Sequence, residues 1–495
     1  MQIAAVVAGI VWLVIKFWLL LTVPFGVTID QASTGLAAFT AVPGAADRLF
    51  VSNFLAQAGI FKVLGLGELS LRIYGCLLLV VLIAGVMKGL KKTVPEVNPG
   101  LLLLILAVNP WLTNLSLFHL PELLSITAGV WMVWVNRWWI KLPLALIAAF
   151  ASPVGMAGIL IMTVCWFFKK QKVLALTIGA IILTAVFINR QYVTEQSKTL
   201  WINRLSLTEV EKQVNEEQKI YFLATNKSYM LPAWFRKLVF NKPLYIARAV
   251  VNKSMAIIDP TAWTAAQDGW VITSLSGFPP RGVESLFYYW EIPLMVLGII
   301  TLKNRKVLLW IILAAIPAIF AEEKFIVMSG LWLLPAGAGL VWQGGNWLIG
   351  KGGKWVFLAG IILFSLAAGH FYRQLFYNQE DKLKSDTQIY RQMAMWTKEN
   401  SDQWEKIVVT KRMGPTKLMF AFYGLKDNPK LEFREFDLTR ENSPLGYVFV
   451  GLPGEFAGPG DKANDRQVNG RTILEKINYG DELVFNYGKG IWIGK

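Results

Sequence analysis

Apolar runs recur through the first three quarters of this sequence, near residues 3–23, 71–87, 100–117, 120–136, 142–152, 154–168, 173–188, 286–302, 307–321, 325–349 and 355–374. No other feature constrains the fold as tightly. A helix needs about 17–25 residues to cross the hydrocarbon core of a bilayer, and inside that core each backbone N–H and C=O must be satisfied within the segment, which restricts such spans to helices. Eleven runs predict a polytopic α-helical membrane protein with about eleven transmembrane helices. Composition agrees, since 55% of the residues are hydrophobic and 17% charged, against about 25% charged in ordinary soluble proteins. The run 142–152 is short, and Ser152-Pro153 reads equally as a tight external turn or as a kink in one bent helix.

The net charge of +16 follows from orientation. With the N-terminus cytoplasmic and all eleven runs crossing, the loops at 88–99, 137–141, 169–172, 303–306 and 351–354 lie inside and hold thirteen basic residues against one acid, Glu96. That is the positive-inside distribution. Because these basic residues are split among short loops, with no patch of interleaved aromatics, nucleic acid is not an expected partner. Cys76 and Cys165 both lie in apolar runs, so no disulfide framework is encoded. Residues 3–23 carry neither a basic leader nor a small-residue cleavage site and read as a retained helix. The expected location is the cell membrane, multi-pass, with the C-terminal domain extracytoplasmic.

On this map the long polar stretches fall outside: residues 24–70, 189–285 and the tail. Two domains are expected, a membrane domain over 1–374 and a small extracytoplasmic α/β domain over 375–495. In the first external loop, one helix is expected after Asp30 and a second through FVSNFLAQAGIFKVLG, whose Phe50, Phe54, Ala58 and Phe61 suit a helix lying on the membrane surface. The fourth external loop carries a soluble helix at 206–219 with a capping-box start, then an interfacial helix at 240–258. The tail changes pattern. A polar helix near 384–399 precedes strand-like EKIVVT, a short helix in GPTKLMFAFYG, and strand-like LEFREF, GYVFVGL, ELVFNY and GIWIG. No Gly-rich phosphate loop joins strand to helix there, so no nucleotide site is expected.

Asp30, in VTIDQASTG, stands where the first membrane helix has ended. A carboxylate there can cap the next helix, face water or serve chemistry. The residues around it carry a family resemblance. DQASTG after the first helix, LGLGELSLRIYG (64–75), NPWLTNLS (109–116), FNKPLY (240–245), YYWEIPLMVLGI (288–299), AIPAIFA (315–321) with the later LLPAGAGL, and KIVVTKRMGPTKLMFAFY (406–423) together resemble the C-superfamily membrane glycosyltransferases. Within that superfamily the likeness is to the branch of dolichyl-phosphate-mannose protein mannosyltransferases and lipid A aminoarabinose transferase, bacterial type. It covers nearly the whole chain, through the order and spacing of the pieces.

The resemblance implies transfer of a sugar from a polyprenyl-phosphate donor to a glycan, lipid or protein acceptor at the extracytoplasmic membrane face, with membrane lipids as surroundings. It assigns Asp30 as the catalytic carboxylate. Such chemistry needs a base for the acceptor hydroxyl and cationic stabilisation of the leaving phosphate. Family members usually carry Asp-Glu where this chain has Asp30-Gln31, so a second carboxylate is absent here. No cofactor is expected. A divalent metal is left open by the resemblance, but no residue supports one.

Further substrate-binding candidates are Gln31 itself, the pair Asp47 and Arg48, and His119 with Glu122 at the outer start of the fourth run. Lys242 and Arg248, about two turns apart on one helix, could face lipid phosphate. Glu322, Glu323 and Lys324 form an outer turn where relatives often place His or Arg for the donor phosphate. Each also has a plain structural reading as a surface ion pair, a solvated charge or a generic contact to headgroups. Two other functions stand beside transfer. One is a degenerate, non-catalytic relative that binds lipid carriers or partner enzymes. The other is a transporter, disfavoured because only Lys16 lies mid-span.

Overall fold

Apolar side chains at positions 3, 7, 14 and 18 stand on one face of the first helix, and Ile3, Val7, Val14 and Trp18 are all more than half exposed. A stripe that apolar is stable against lipid and costly against water. In the computed structural model this helix, α1, spans Gln2–Thr22. The residues described are 2–22, 27, 29–40, 42, 49–93, 99–135, 137–168, 172–190, 207–224, 241–248, 251, 291–302, 310–314, 316, 332–376, 386–412, 414–436, 446–451, 467–468, 471–478 and 490–494.

Among the described residues three helices are long and apolar enough to cross a membrane: Ile3–Thr22, Glu68–Lys91 and Leu333–Gly369. A fourth candidate is a bent pair. The expected single run 100–117 is two helices, α5 (Pro99–Val108) and α6 (Pro110–Phe118), which meet at 59°. Pro110 lacks the N–H that would continue α5, and the Asn109 side chain accepts the backbone N–H of Leu112 at 3.1 Å, capping α6. Other expected spans are shorter apolar helices, and the runs 286–302, 307–321 and 325–349 lie partly outside the described residues.

The chain groups into two compact units. One comprises Met1–Val14, Leu78–Leu115 and Pro121–Phe371. In it α7 (Leu120–Trp134), α8 (Trp138–Ala149), α9 (Pro153–Phe168) and α10 (Lys172–Ile188) follow in order. Residues 142–168 are therefore two helices, and α8 packs on α9. The turn between them is pinned to α7, where the Ser125 hydroxyl donates to the Ala148 carbonyl at 3.0 Å and lies 2.9 Å from the Ser152 hydroxyl. Ser152 also accepts the N–H of Gly155 at 3.1 Å and so caps α9. The same unit holds α11 (Leu207–Ala224), α12 (Glu291–Thr301) and most of α13 (Leu333–Phe376). At 44 residues α13 would be about 66 Å long if straight, twice a bilayer core. It is broken at Gly353, whose φ of 64° is open to glycine. The break falls between the two runs that the sequence separates there.

The second unit comprises Ile15–Leu77, Ser116–Leu120 and Tyr372–Lys495. Its N-terminal part holds α2 (Ile29–Thr40), α3 (Val51–Leu64) and the start of α4 (Glu68–Thr93). The buried face of α3 is Asn53, Phe54, Gln57 and Phe61, while Val51, Leu55, Val63 and Leu64 are exposed. The Phe54/Phe61 stripe is thus covered by protein, and a different apolar face is left outward. A helix apolar on two sides does not reveal from its own sequence which side meets protein.

The C-terminal part follows α14 (Asp386–Asn400) with β1 (Lys406–Val409), α15 (Thr416–Phe422), β2 (Leu431–Phe433), β3 (Tyr447–Gly451), β4 (Gln467–Val468), β5 (Arg471–Asn478) and β6 (Gly490–Gly494). The strands form a six-stranded sheet in the order β2-β1-β3-β6-β5-β4. Strand β1 pairs in parallel with β2 and β3, and β6 lies antiparallel between β3 and β5. Ile407 and Val409 of β1 and Val448 and Val450 of β3 share one core with Met393, Ala394 and Phe420. Strand β5, RTILEKIN, was not expected. Its apolar positions 473, 474 and 477 suit a helix as well as a strand, and antiparallel pairing with β6 decides the matter. ELVFNY lies outside the described residues.

Candidate active site

Helix α6 ends at Phe118, and the residue four beyond Leu117 is Pro121. Proline has no N–H to give, so the Leu117 carbonyl cannot be satisfied by its own helix. Two side chains from elsewhere take it. Gln31 Nε2 donates to it at 2.8 Å and Arg72 Nη1 at 2.9 Å. Both side chains are buried, at 5% and 3% exposure. Gly75 allows this approach, because a Cβ there would lie 2.5 Å from the Ser116 carbonyl oxygen, and Arg72 is one turn earlier on α4.

A buried guanidinium needs a counter-charge. Arg72 Nη2 meets Glu68 Oε1 at 3.3 Å, one turn away on α4, and the other oxygen of that carboxylate accepts Arg391 Nε at 3.2 Å. Arg391 belongs to α14, 323 residues further along the chain. Tyr423, just after α15, is in the same neighbourhood, within electrostatic reach of Glu68, Arg391 and Arg72. Burial first, and the Glu68 carboxylate second, push its phenol well above the usual tyrosine range.

Asp30 is the second residue of α2, inside the helix and not before it. The helix thus begins at Ile29, one residue before Asp30, where the sequence placed its start at Gln31. Helix α2 is held from two sides. A Cβ on Gly35 would lie 3.1 Å from a Phe422 ring carbon and 3.3 Å from a Phe61 ring carbon, so α15 and α3 both close on α2 at that glycine.

The other candidates are spread out. His119 is half-buried between α6 and α7, two residues past Leu117. Glu122 lies in the first turn of α7, half-buried, in the other unit. Lys242 and Arg248, on a helical stretch over 242–248, each meet a carboxylate of α11: Lys242 with Glu211 at 2.7 Å and Arg248 with Glu217 at 3.3 Å, all largely exposed. Between them Tyr245 donates to Gln213, which completes a parallel lacing of the two helices. The hydrogen bond and charge of Lys242 hold the Glu211 carboxyl below its usual range. Asp47, Arg48, Glu322, Glu323 and Lys324 lie outside the described residues. Among the described residues no three His, Cys, Asp or Glu side chains are gathered as a metal ion would require.

Sequence reasoning quoted the stretch LGLGELSLRIYG without naming Glu68 or Arg72 as site residues. Two signals pointed to them: opposite charges four residues apart at the start of a membrane helix, and Pro121 four residues after a carbonyl that would need donors.

No protein-family model matches this chain, and no curated protein matches it. Among solved structures it is similar to ArnT from Cupriavidus metallidurans, crystallised in the apo state, at 12% identity and a TM-score of 0.40, over 99% of this chain and 97% of that one. A likeness of that size carries no functional argument, so the function of this chain has to be argued from its own residues.

Proposed function

We propose that this chain is an integral membrane glycosyltransferase that moves a sugar from a polyprenyl-phosphate donor to an acceptor at the extracytoplasmic membrane face. The observation that carries the reading is the setting of Asp30. Asp30 is the second residue of the helix that follows the first apolar helix, and its chain neighbour Gln31 is buried and bound to Leu117 together with Arg72. In this reading Asp30 takes the proton of the acceptor hydroxyl as the bond to the sugar's anomeric carbon forms and the bond from that carbon to the phosphate oxygen breaks. The leaving polyprenyl phosphate departs as an anion and stays in the bilayer through its chain, since each methylene contributes about 0.8 kcal/mol to membrane residence. That fits a site made where membrane helices meet surface helices.

Gln31 favours a second reading, a relative that binds lipid carriers without turnover, because the side chain next to Asp30 has no charge and is committed to a backbone oxygen. One experiment separates the two. The purified protein is incubated with a panel of polyprenyl-phosphate sugars, and both sugar transfer and released polyprenyl phosphate are measured. Release and transfer that vanish in Asp30→Asn support catalysis. Donor binding with no turnover by the natural chain supports the carrier-binding reading.

A further inference from the structure

A polar chain joins α14 of the C-terminal part to the first turn of α2 through side chains. Arg391 Nε donates to Glu68 Oε2 at 3.2 Å, and Glu68 Oε1 accepts Arg72 Nη2 at 3.3 Å. Arg72 Nη1 and Gln31 Nε2 then meet on the Leu117 carbonyl, and Gln31 is bonded to Asp30 along the chain. All these residues belong to the second compact unit.

We infer that Arg391 is a positioning residue for the reaction, acting through Glu68 and Arg72 on the turn that carries Asp30. The inference rests on the assignment of Asp30 as the base. A carboxylate with each oxygen held by a different guanidinium has little freedom to rotate. Without Arg391, Glu68 loses one of the two guanidiniums that fix its oxygens, and its hold on Arg72, and through Arg72 on the Leu117 carbonyl, loosens. The three side chains differ in exposure: Arg72 is 3% exposed, Glu68 16% and Arg391 27%. An ion pair with a partly exposed member adds little to folding stability. The effect of Arg391 therefore falls on geometry, and a displacement of about 1 Å at a reacting group is enough to cost about 100-fold in rate. Phe422 closes on Gly35 of the same helix, so the C-terminal part steadies α2 at two places.

The test uses the full-length protein in lipid nanodiscs with Arg391→Met and Arg391→Lys. Turnover and donor KM are measured with whichever polyprenyl-phosphate sugar the natural chain uses. Hydrogen–deuterium exchange is followed over residues 33–40, the α2 amides bonded within the helix, and thermal stability is recorded alongside. Arg391→Met is expected to lower kcat by about 10-fold with donor KM within about two-fold, to raise exchange in α2, and to leave Tm nearly unchanged. Arg391→Lys, which keeps the charge, recovers most of the rate and the protection. The inference is overturned if α2 exchange is the same in Arg391→Met as in the natural chain, or if Lys does no better than Met. It is overturned equally if the Met variant fails to fold, since Arg391 is then a structural residue. Should the natural chain transfer no sugar, the functional reading fails, and the exchange arm decides the Arg391 inference by itself.

Discussion

Gln31 and Arg72 donate to one main-chain oxygen, that of Leu117, at 2.8 and 2.9 Å. They come from two helices, α2 and α4, and the oxygen is orphaned because Pro121 has no N–H to offer it. The cost of losing either donor is therefore unequal. Gln31→Leu leaves Arg72 on the carbonyl and forfeits the neutral hydrogen bond from Gln31 to it, about 1 kcal/mol. Arg72→Leu also removes a counter-charge from Glu68, and about 3 kcal/mol or more is expected. Thermal unfolding of both variants in one detergent checks the order, and equal losses would show that the shared oxygen is not the relevant contact.

Replacing Asp30 by Asn keeps the size and the helix-start position but removes the proposed base. Turnover is expected to drop by about 100-fold or more, with Tm changed little, because a first-turn charge contributes about 0.3–1 kcal/mol. Single-turnover transfer at matched amounts of folded protein is the measurement. Full activity in this variant would return Asp30 to a purely structural role.

Gly35 is where α3 and α15 close on α2. A leucine there would have to displace the rings of Phe61 and Phe422, which leave a Cβ only 3.3 and 3.1 Å. Gly35→Leu is expected to destabilise the second unit by about 1–3 kcal/mol, and the double variant Gly35→Leu/Phe422→Ala to regain part of that loss. A double variant less stable than the sum of the two singles would mean that the rings are not the obstacle.

Tyr423 sets a pH dependence. Its phenol is raised above the usual tyrosine value, so the folded chain holds that proton more tightly than the unfolded chain does. The share of stability that depends on it is whole below about pH 10, the ordinary tyrosine pKa, and declines as the pH climbs from there toward the raised value. Tyr423→Phe is expected to flatten the fall of Tm between about pH 9 and 11. Identical slopes in the two proteins would remove Tyr423 from the account.

Orientation is testable without any substrate. A cysteine placed at exposed Lys411, in a chain lacking Cys76 and Cys165, is expected to react with a membrane-impermeant maleimide added outside intact cells. Labelling seen only after the cells are opened would reverse the topology.

Periodicity and composition were enough for much of the architecture. The apolar runs announced apolar helices, three of which among the described residues are long enough to cross a membrane, and α14, β1, α15, β2, β3 and β6 lie where the tail's alternating and helical patterns put them. Local pattern carries that information because a segment's apolar spacing must match its own helical or extended period. Where two periods fit one segment, as in RTILEKIN, or two apolar faces fit one helix, as in α3, the neighbours chose: β6 by pairing with β5, and the packed second unit by burying Phe54 and Phe61. The site divides in the same way. Asp30 could be proposed because its residue type, its place after an apolar helix and the motifs that carry the family resemblance are all properties of the chain. The Glu68–Arg391 pair could not, because its partners are 323 residues apart and no local rule links them. The Leu117 oxygen is harder still to foresee. Every residue carries a carbonyl, and only the fold brings the Gln31 amide and the Arg72 guanidinium to the one that Pro121 had left without a donor.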